Sequence, residues 1–179
     1  MSDRTRDACA YILAATICQT TDLPTLRQKV ASLRLKGQQK VHWRDESDKR
    51  RRQIAEFIAL LPLEHVVVVR KGHPDDGPER RRRHAMERLL YELDQANVRD
   101  VAFESRGSRN DNRDRDMLDA LRARKTVSPG LRMRHVGGRD DAMLWVPDAL
   151  CGVTVKQRTG ESAYLEAIQA RSVIRIIGI

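Results

Sequence analysis

His65 to Arg70 reads HVVVVR, four consecutive valines between a histidine and an arginine. Valine is β-branched and favours strand, and an unbroken apolar run suits a strand buried on both faces in the middle of a sheet. Upstream of it, Glu46 to Leu61 carries Ile54, Phe57, Ile58 and Leu61 at helical spacing, and Pro62 stops the helix. Ala10 to Ile17 (AYILAATI) is a second continuous apolar strand. Between these two segments, Asp22 and Pro24 open a helix carrying Leu26, Val30 and Leu33, with Gly37 closing it, and Lys40 to Trp43 (KVHW) is a short extended piece.

Downstream, Gly72 to Pro78 is a polar loop, and Glu79 to Ala96 is a long helix with Met86, Leu89, Leu90 and Leu93 on one face. Val98 to Ser105 (VRDVAFES) is the next strand. Ser108 to Asp114 reads as a charged loop or helix start, and Met117, Leu118 and Leu121 belong to a short helix after it. Pro129 and Gly130 turn into the alternating strand Leu131 to Val136 (LRMRHV). Ala142 to Lys156 is an apolar helix interrupted by Pro147, followed by a helix from Ser162 to Ala170 and a last strand, Val173 to Ile177. Strands alternating with helices predict an α/β layer fold with parallel crossovers. No repeat or linker divides residues 1–179, which read as a single domain.

Of the 179 residues, 40% are apolar and 33% charged, and the apolar ones fall in periodic runs, which excludes a disordered chain. The run Ala8 to Cys18 is shorter than the about 20 residues that span a bilayer, and no cleavable leader pattern precedes it. The expectation is a cytoplasmic protein with no membrane partner. Cys9, Cys18 and Cys151 lie in apolar runs without metal-ligand spacing and read as buried thiols. The net charge of +9, from 34 Lys+Arg against 25 Asp+Glu, is mostly arginine. It points to an acidic partner, nucleic acid before anionic membrane, although a GC-rich genome enriches arginine everywhere.

Glu104 stands at the carboxyl end of a buried strand, where ligands bind in open α/β sheets. It either serves a site there, sits past the sheet edge in solvent, or pairs with Arg106. Asp148, in LWVPDALCG, is an acid in an apolar helix; it is either a ligand or a first-turn residue stabilised by the helix dipole. Asp111, Asp114 and Asp116 form an acidic stretch that lacks the glycine and terminal glutamate of a calcium loop. Asp114 is its best candidate for a metal ligand. Two basic runs, Lys49 to Arg52 and Arg80 to Arg83, open helices against the dipole, and read as solvated faces or phosphate contacts. His42 is a candidate for a metal or phosphate contact. The remaining histidines show no paired-ligand spacing, and no GxGxxG, Walker loop or GxSxG elbow occurs.

The stretches KVHWRDES (Lys40 to Ser47), VAFESRG (Val101 to Gly107) and LWVPDALCG (Leu144 to Gly152), in this order, resemble the domain-of-unknown-function 3800 proteins of prokaryotes. The likeness runs from about Ala10 to the C-terminus. It implies a ribonuclease-H-like fold, with a mixed central sheet and helices on both faces. Members of that family open with an Asp-Glu-Ser strand, which has no counterpart here: Asp3 and Asp7 lie in a polar segment, and Asp45-Glu46-Ser47 follows the His-Trp element. Either that strand lies upstream of Met1 or a ligand has been lost.

The resemblance implies a Mg²⁺- or Mn²⁺-dependent phosphodiesterase acting on RNA or DNA. Glu104 and Asp148 would be metal ligands, Asp114 an auxiliary ligand, and His42, Arg50, Arg51, Arg80, Arg81 and Arg106 would contact nucleic acid. The alternative is a non-catalytic nucleic-acid or protein-binding module that keeps the fold and offers an exposed sheet edge to a second copy or a partner chain. A weaker enzymatic alternative is a PD-(D/E)xK-type site on Asp75 and Glu104, with Arg106 in place of lysine.

Overall fold

The computed structural model describes residues 10–73 and 75–179, and its elements follow the alternation of the sequence. In chain order they are β1 (Ala10–Ile17), α1 (Leu23–Ala31), α2 (Asp48–Ala59), β2 (Glu64–Lys71), α3 (Pro78–Gln95), β3 (Asp100–Glu104), α4 (Ser108–Ala123), β4 (Arg132–Val136), α5 (Trp145–Arg158), α6 (Ala163–Gln169) and β5 (Val173–Gly178). The valine run is the centre of a mixed sheet. β2 pairs antiparallel with β1, with Leu13 opposite Val68, and parallel with β5, with Val66 opposite Arg175. Val66 to Val69 are 0–4% exposed.

Alternation along β2 divides the core. Val66 and Val68 pack under Ala85, Leu89 and Leu93 of α3. Val67 and Val69 face the opposite layer, where Leu26 and Val30 of α1, Ile54 and Ile58 of α2, Leu150 and Val153 of α5 and Ile168 of α6 close the core. Helices therefore cover both faces, as expected. No described helix is long and apolar enough to cross a membrane.

One central sheet was expected, but the described strands form two sheets. β3 and β4 pair only with each other, in parallel, with Val101 opposite Met133. The break lies between β1 and β3 inside the fold, because α3 packs on both sheets. Its Met86 and Leu90 share a cluster with Leu13, Val101, Phe103 and Met133.

Several local expectations shift. Of the two readings of Ser108 to Asp114, loop or helix start, the structure takes the second: the stretch forms the first two turns of α4. Gly107, at φ +91°, turns the chain out of β3, and Asp111 reaches back to accept hydrogen bonds from the Ser105 hydroxyl (2.6 Å) and the Arg106 N–H (2.9 Å). These ties hold turns that carry no apolar residue. Pro147 does not interrupt α5. It sits in the first turn, where its missing N–H breaks no helical bond. The helix α1 ends at Ala31, well before Gly37. KVHW is extended at His42 but joins no sheet; it is a strap that runs into a 3-10 turn at Trp43–Asp45.

Candidate functional site

The strap Lys40 to Trp43 organises the two leading acids. Glu104 ends β3, and its Oε1 lies 2.9 Å from Lys40 Nζ; the two side chains are 43% and 38% exposed. Asp148 lies in the first turn of α5, where the helix dipole favours an anion. Its Oδ2 accepts the Trp43 N–H at 2.9 Å and sits 2.9 Å from His42 Nδ1. The strap is held in turn by Trp43, which packs edge-on to Tyr164 at 5.4 Å and lies against Gly152.

Glycine is required at two points around this strap. A Cβ on Gly152 would come within 2.0–2.5 Å of the Trp43 ring, and one on Gly138 within 2.0 Å of Glu104 Oε1. The Gly138 carbonyl accepts the Trp145 indole N–H at 2.7 Å, which fixes the loop beside Glu104.

The third predicted ligand, Asp114, belongs to another cluster. It is buried on α4, accepts a hydrogen bond from Arg82 Nη2 at 2.6 Å and lies 3.2 Å from His135 Nε2. Arg106 approaches its other oxygen at 3.6 Å. Asp111, beside it, has its carboxyl held below the usual range, first by the Ser105 hydroxyl and then, against burial, by the Arg106 N–H and His135. Asp116 is exposed on the outer face of α4. Among the described residues, no group of three or more His, Cys, Asp or Glu side chains is placed to hold a metal ion.

The predicted basic contacts are engaged within the protein. Arg50 donates to the Leu33 carbonyl and lies 3.9 Å from Glu46. Arg51 donates to the Trp43 and Arg44 carbonyls at 3.1 and 3.0 Å and lies over the Trp43 ring, so it clamps the strap. Arg80 pairs with Asp76 at 3.1 Å, and Arg81 donates to the His73 carbonyl at 3.4 Å. Arg106 pairs with Glu79 at 2.8 Å and thereby lowers the Glu79 carboxyl. Asp75 pairs with His73 in the open loop at 3.2 Å. Cys18 and Cys151 are free and half-buried; Asp3, Asp7 and Cys9 lie outside the described residues.

Sequence reasoning passed over Lys40, Gly138 and the cations around them. Arg139, next to Gly138, and Arg44, two residues past His42, are exposed and have no ion-pair partner among the described residues. Arg134 is half exposed, 3.8 Å from Asp141, which Arg27 holds at 2.6 Å. Burial alone would raise the Asp141 carboxyl; the hydrogen bond from Arg27, with the Met143 N–H and Arg134, lowers it instead. Of these, Arg139 adjoins the Lys40–Glu104 pair through Gly138, whose Cβ position lies against both of those side chains. Compared with known proteins, the chain matches no family model, no curated protein and no solved structure.

Proposed function

We propose that this chain is a non-catalytic nucleic-acid-binding module of ribonuclease-H-like architecture that grips phosphates at the arginine rim around Lys40 and Glu104. The observation that carries the reading is the pairing of the acids. Glu104 is matched by Lys40, Asp148 by His42 and the Trp43 N–H, and Asp114 by Arg82 and His135, whereas Arg44 and Arg139 are unmatched. An acid that is already paired repels phosphate less, and an unpaired exposed arginine attracts it. The antiparallel β1–β2 pair, the two parallel pairs and the helices on both faces support the architecture.

Mg²⁺ and Mn²⁺ take oxygen ligands in near-octahedral number, and among the described residues no group of three or more His, Cys, Asp or Glu gathers at Glu104 or Asp148, which favours the binding reading over the metal-dependent one. Fluorescence anisotropy with labelled single-stranded RNA and DNA tests the binding reading. Affinity should fall steeply with salt, and Arg44→Glu with Arg139→Glu should weaken it at least tenfold; affinity indifferent to both would end the reading.

The second reading, a Mg²⁺- or Mn²⁺-dependent phosphodiesterase centred on Glu104 and Asp148, is favoured by one observation. Both carboxylates are partly exposed, at 43% and 30%, and both are tied to the same short strap. Its test is Mn²⁺-dependent cleavage of RNA or DNA that Glu104→Gln abolishes.

A further inference from the structure

Midway between Lys40 and Arg44 the strap carries a histidine with one ring nitrogen committed and the other free. Val41 and Trp43 are 4% and 5% exposed and belong to the core, whereas the side chains of Lys40 and His42 are 38% and 26% exposed and Arg44 is exposed. The alternation is that of an extended segment, in which second neighbours share a side and stand about 7 Å apart. His42 therefore lies between a lysine and an arginine on the outer side of the strap.

The proton of the neutral His42 ring has a fixed place. Nδ1 lies 2.9 Å from Asp148 Oδ2, which also accepts the Trp43 N–H at 2.9 Å. A carboxylate oxygen only accepts, so Nδ1 carries the proton of this bond and Nε2 is left as a bare acceptor. Trp43 fixes the strap and the first turn of α5 fixes Asp148, so the ring is oriented before anything binds. Among the described residues, the ring nitrogens that are both buried and unpartnered are Nε2 of His65 and Nδ1 of His135. His42 Nε2 has no described partner either, and it belongs to a side chain that is 26% exposed, so it meets solvent.

We infer that His42 Nε2 accepts a hydrogen bond from the ribose 2′-hydroxyl of a bound strand, and that the chain for this reason prefers RNA to DNA. The inference rests on the nucleic-acid reading above and adds the choice of sugar to it. Phosphate oxygens only accept, so they leave a neutral, proton-free nitrogen unmatched. Within a nucleic-acid chain the 3′ and 5′ oxygens are esterified. The 2′-hydroxyl is then the one donor on the sugar–phosphate backbone, and DNA lacks it. A strand whose phosphates lie along Lys40 and Arg44 carries a sugar between them, level with His42.

The test uses three fluorescein-labelled strands of about 12 nucleotides, all of uridine, with ribose, 2′-deoxyribose or 2′-fluororibose as the sugar. Anisotropy is read with the full chain at about pH 8, where free imidazole is neutral. The base is the same throughout, and the 2′-fluorine keeps the sugar pucker of RNA but cannot donate. The ribose strand should bind about fivefold more tightly than the other two, the worth of one neutral hydrogen bond. In His42→Phe the three should bind alike. Equal binding of all three by the wild type, with a steep salt dependence, would overturn this inference and leave the phosphate grip standing. Tight binding of the 2′-fluoro strand, or a ribose preference that persists in His42→Phe, would overturn it too. If no strand binds, the nucleic-acid reading falls and this inference with it. Should His42→Phe fail to fold, the wild-type comparison of ribose with 2′-fluororibose decides.

Discussion

Lys40 Nζ stands 2.9 Å from Glu104 Oε1 across 64 residues of sequence, with Gly138 pressed against the same oxygen. This pair separates the two functional readings. In a binding module, Glu104→Gln removes a negative charge from a phosphate site and frees Lys40, so nucleic-acid affinity should rise about two- to threefold. Lys40→Glu should lower it about tenfold. Because the pair is largely exposed, neither change should alter stability by more than about 1 kcal/mol. Titration of labelled RNA with each variant reads both signs; a loss of affinity in Glu104→Gln would count against the binding reading.

Gly152 should be intolerant of any side chain. The Trp43 ring fills the space of its Cβ and cannot retreat, because Tyr164 and Arg51 bracket it. Gly152→Ala is expected to destabilise by about 1–3 kcal/mol, as overpacked cores do. Urea unfolding measures this. Because the strap moves with Trp43, the His42–Asp148 contact should loosen in the same variant.

His65 gives stability a pH dependence. Its ring is fully buried beside Thr16 Oγ1 at 3.1 Å, and burial pushes its pKa down to about 4. The folded pKa lies below the unfolded value of about 6.5, so the neutral ring's contribution is complete above pH ~6.5. As pH falls from ~6.5 toward ~4 the unfolded state takes up the proton first, and about 3 kcal/mol is lost across that window. Urea midpoints of the wild type should fall through this range, while those of His65→Val should be flatter.

Asp114 is expected to matter for folding and not for binding. Its carboxylate is 7% exposed, neutralises Arg82, itself 5% exposed, and lies 3.2 Å from His135 Nε2. Asp114→Ala leaves these groups buried without their acid, a change that costs about 3–5 kcal/mol in comparable pairs. Loss of stability with unchanged nucleic-acid affinity in the folded fraction is the expected outcome. A weakened affinity at full stability would return Asp114 to the site.

The α/β class and most element positions were legible in the sequence, because HVVVVR, AYILAATI and the stripes of α2 and α3 carry strong periodicity. The start of α4 was legible only as one of two alternatives, loop or helix: its first two turns have no apolar residue, and side-chain bonds to Ser105 and Arg106 hold them instead. The division into two sheets depends on which strands pair across long separations, which no local pattern records. Glu104 and Asp148 could be singled out as acids in apolar segments, but their partners could not. Lys40 stood only as the first residue of the KVHW piece, and the arginine runs read as solvated faces or phosphate contacts, because a charge run on paper does not show that Arg82 is buried or that Arg51 clamps a backbone.

The central claim is that the chain grips nucleic acid at the rim without cutting it. The most direct measurement is the salt dependence of single-stranded RNA binding in the presence of Mn²⁺, with the integrity of the RNA followed in the same samples. With phosphate contacts from Arg44 and Arg139, the account predicts a log–log slope of about −1.4, reduced by about 0.7 for each arginine replaced by glutamine, and intact RNA throughout. A flat salt dependence, or RNA cleavage that disappears in Glu104→Gln, would contradict it.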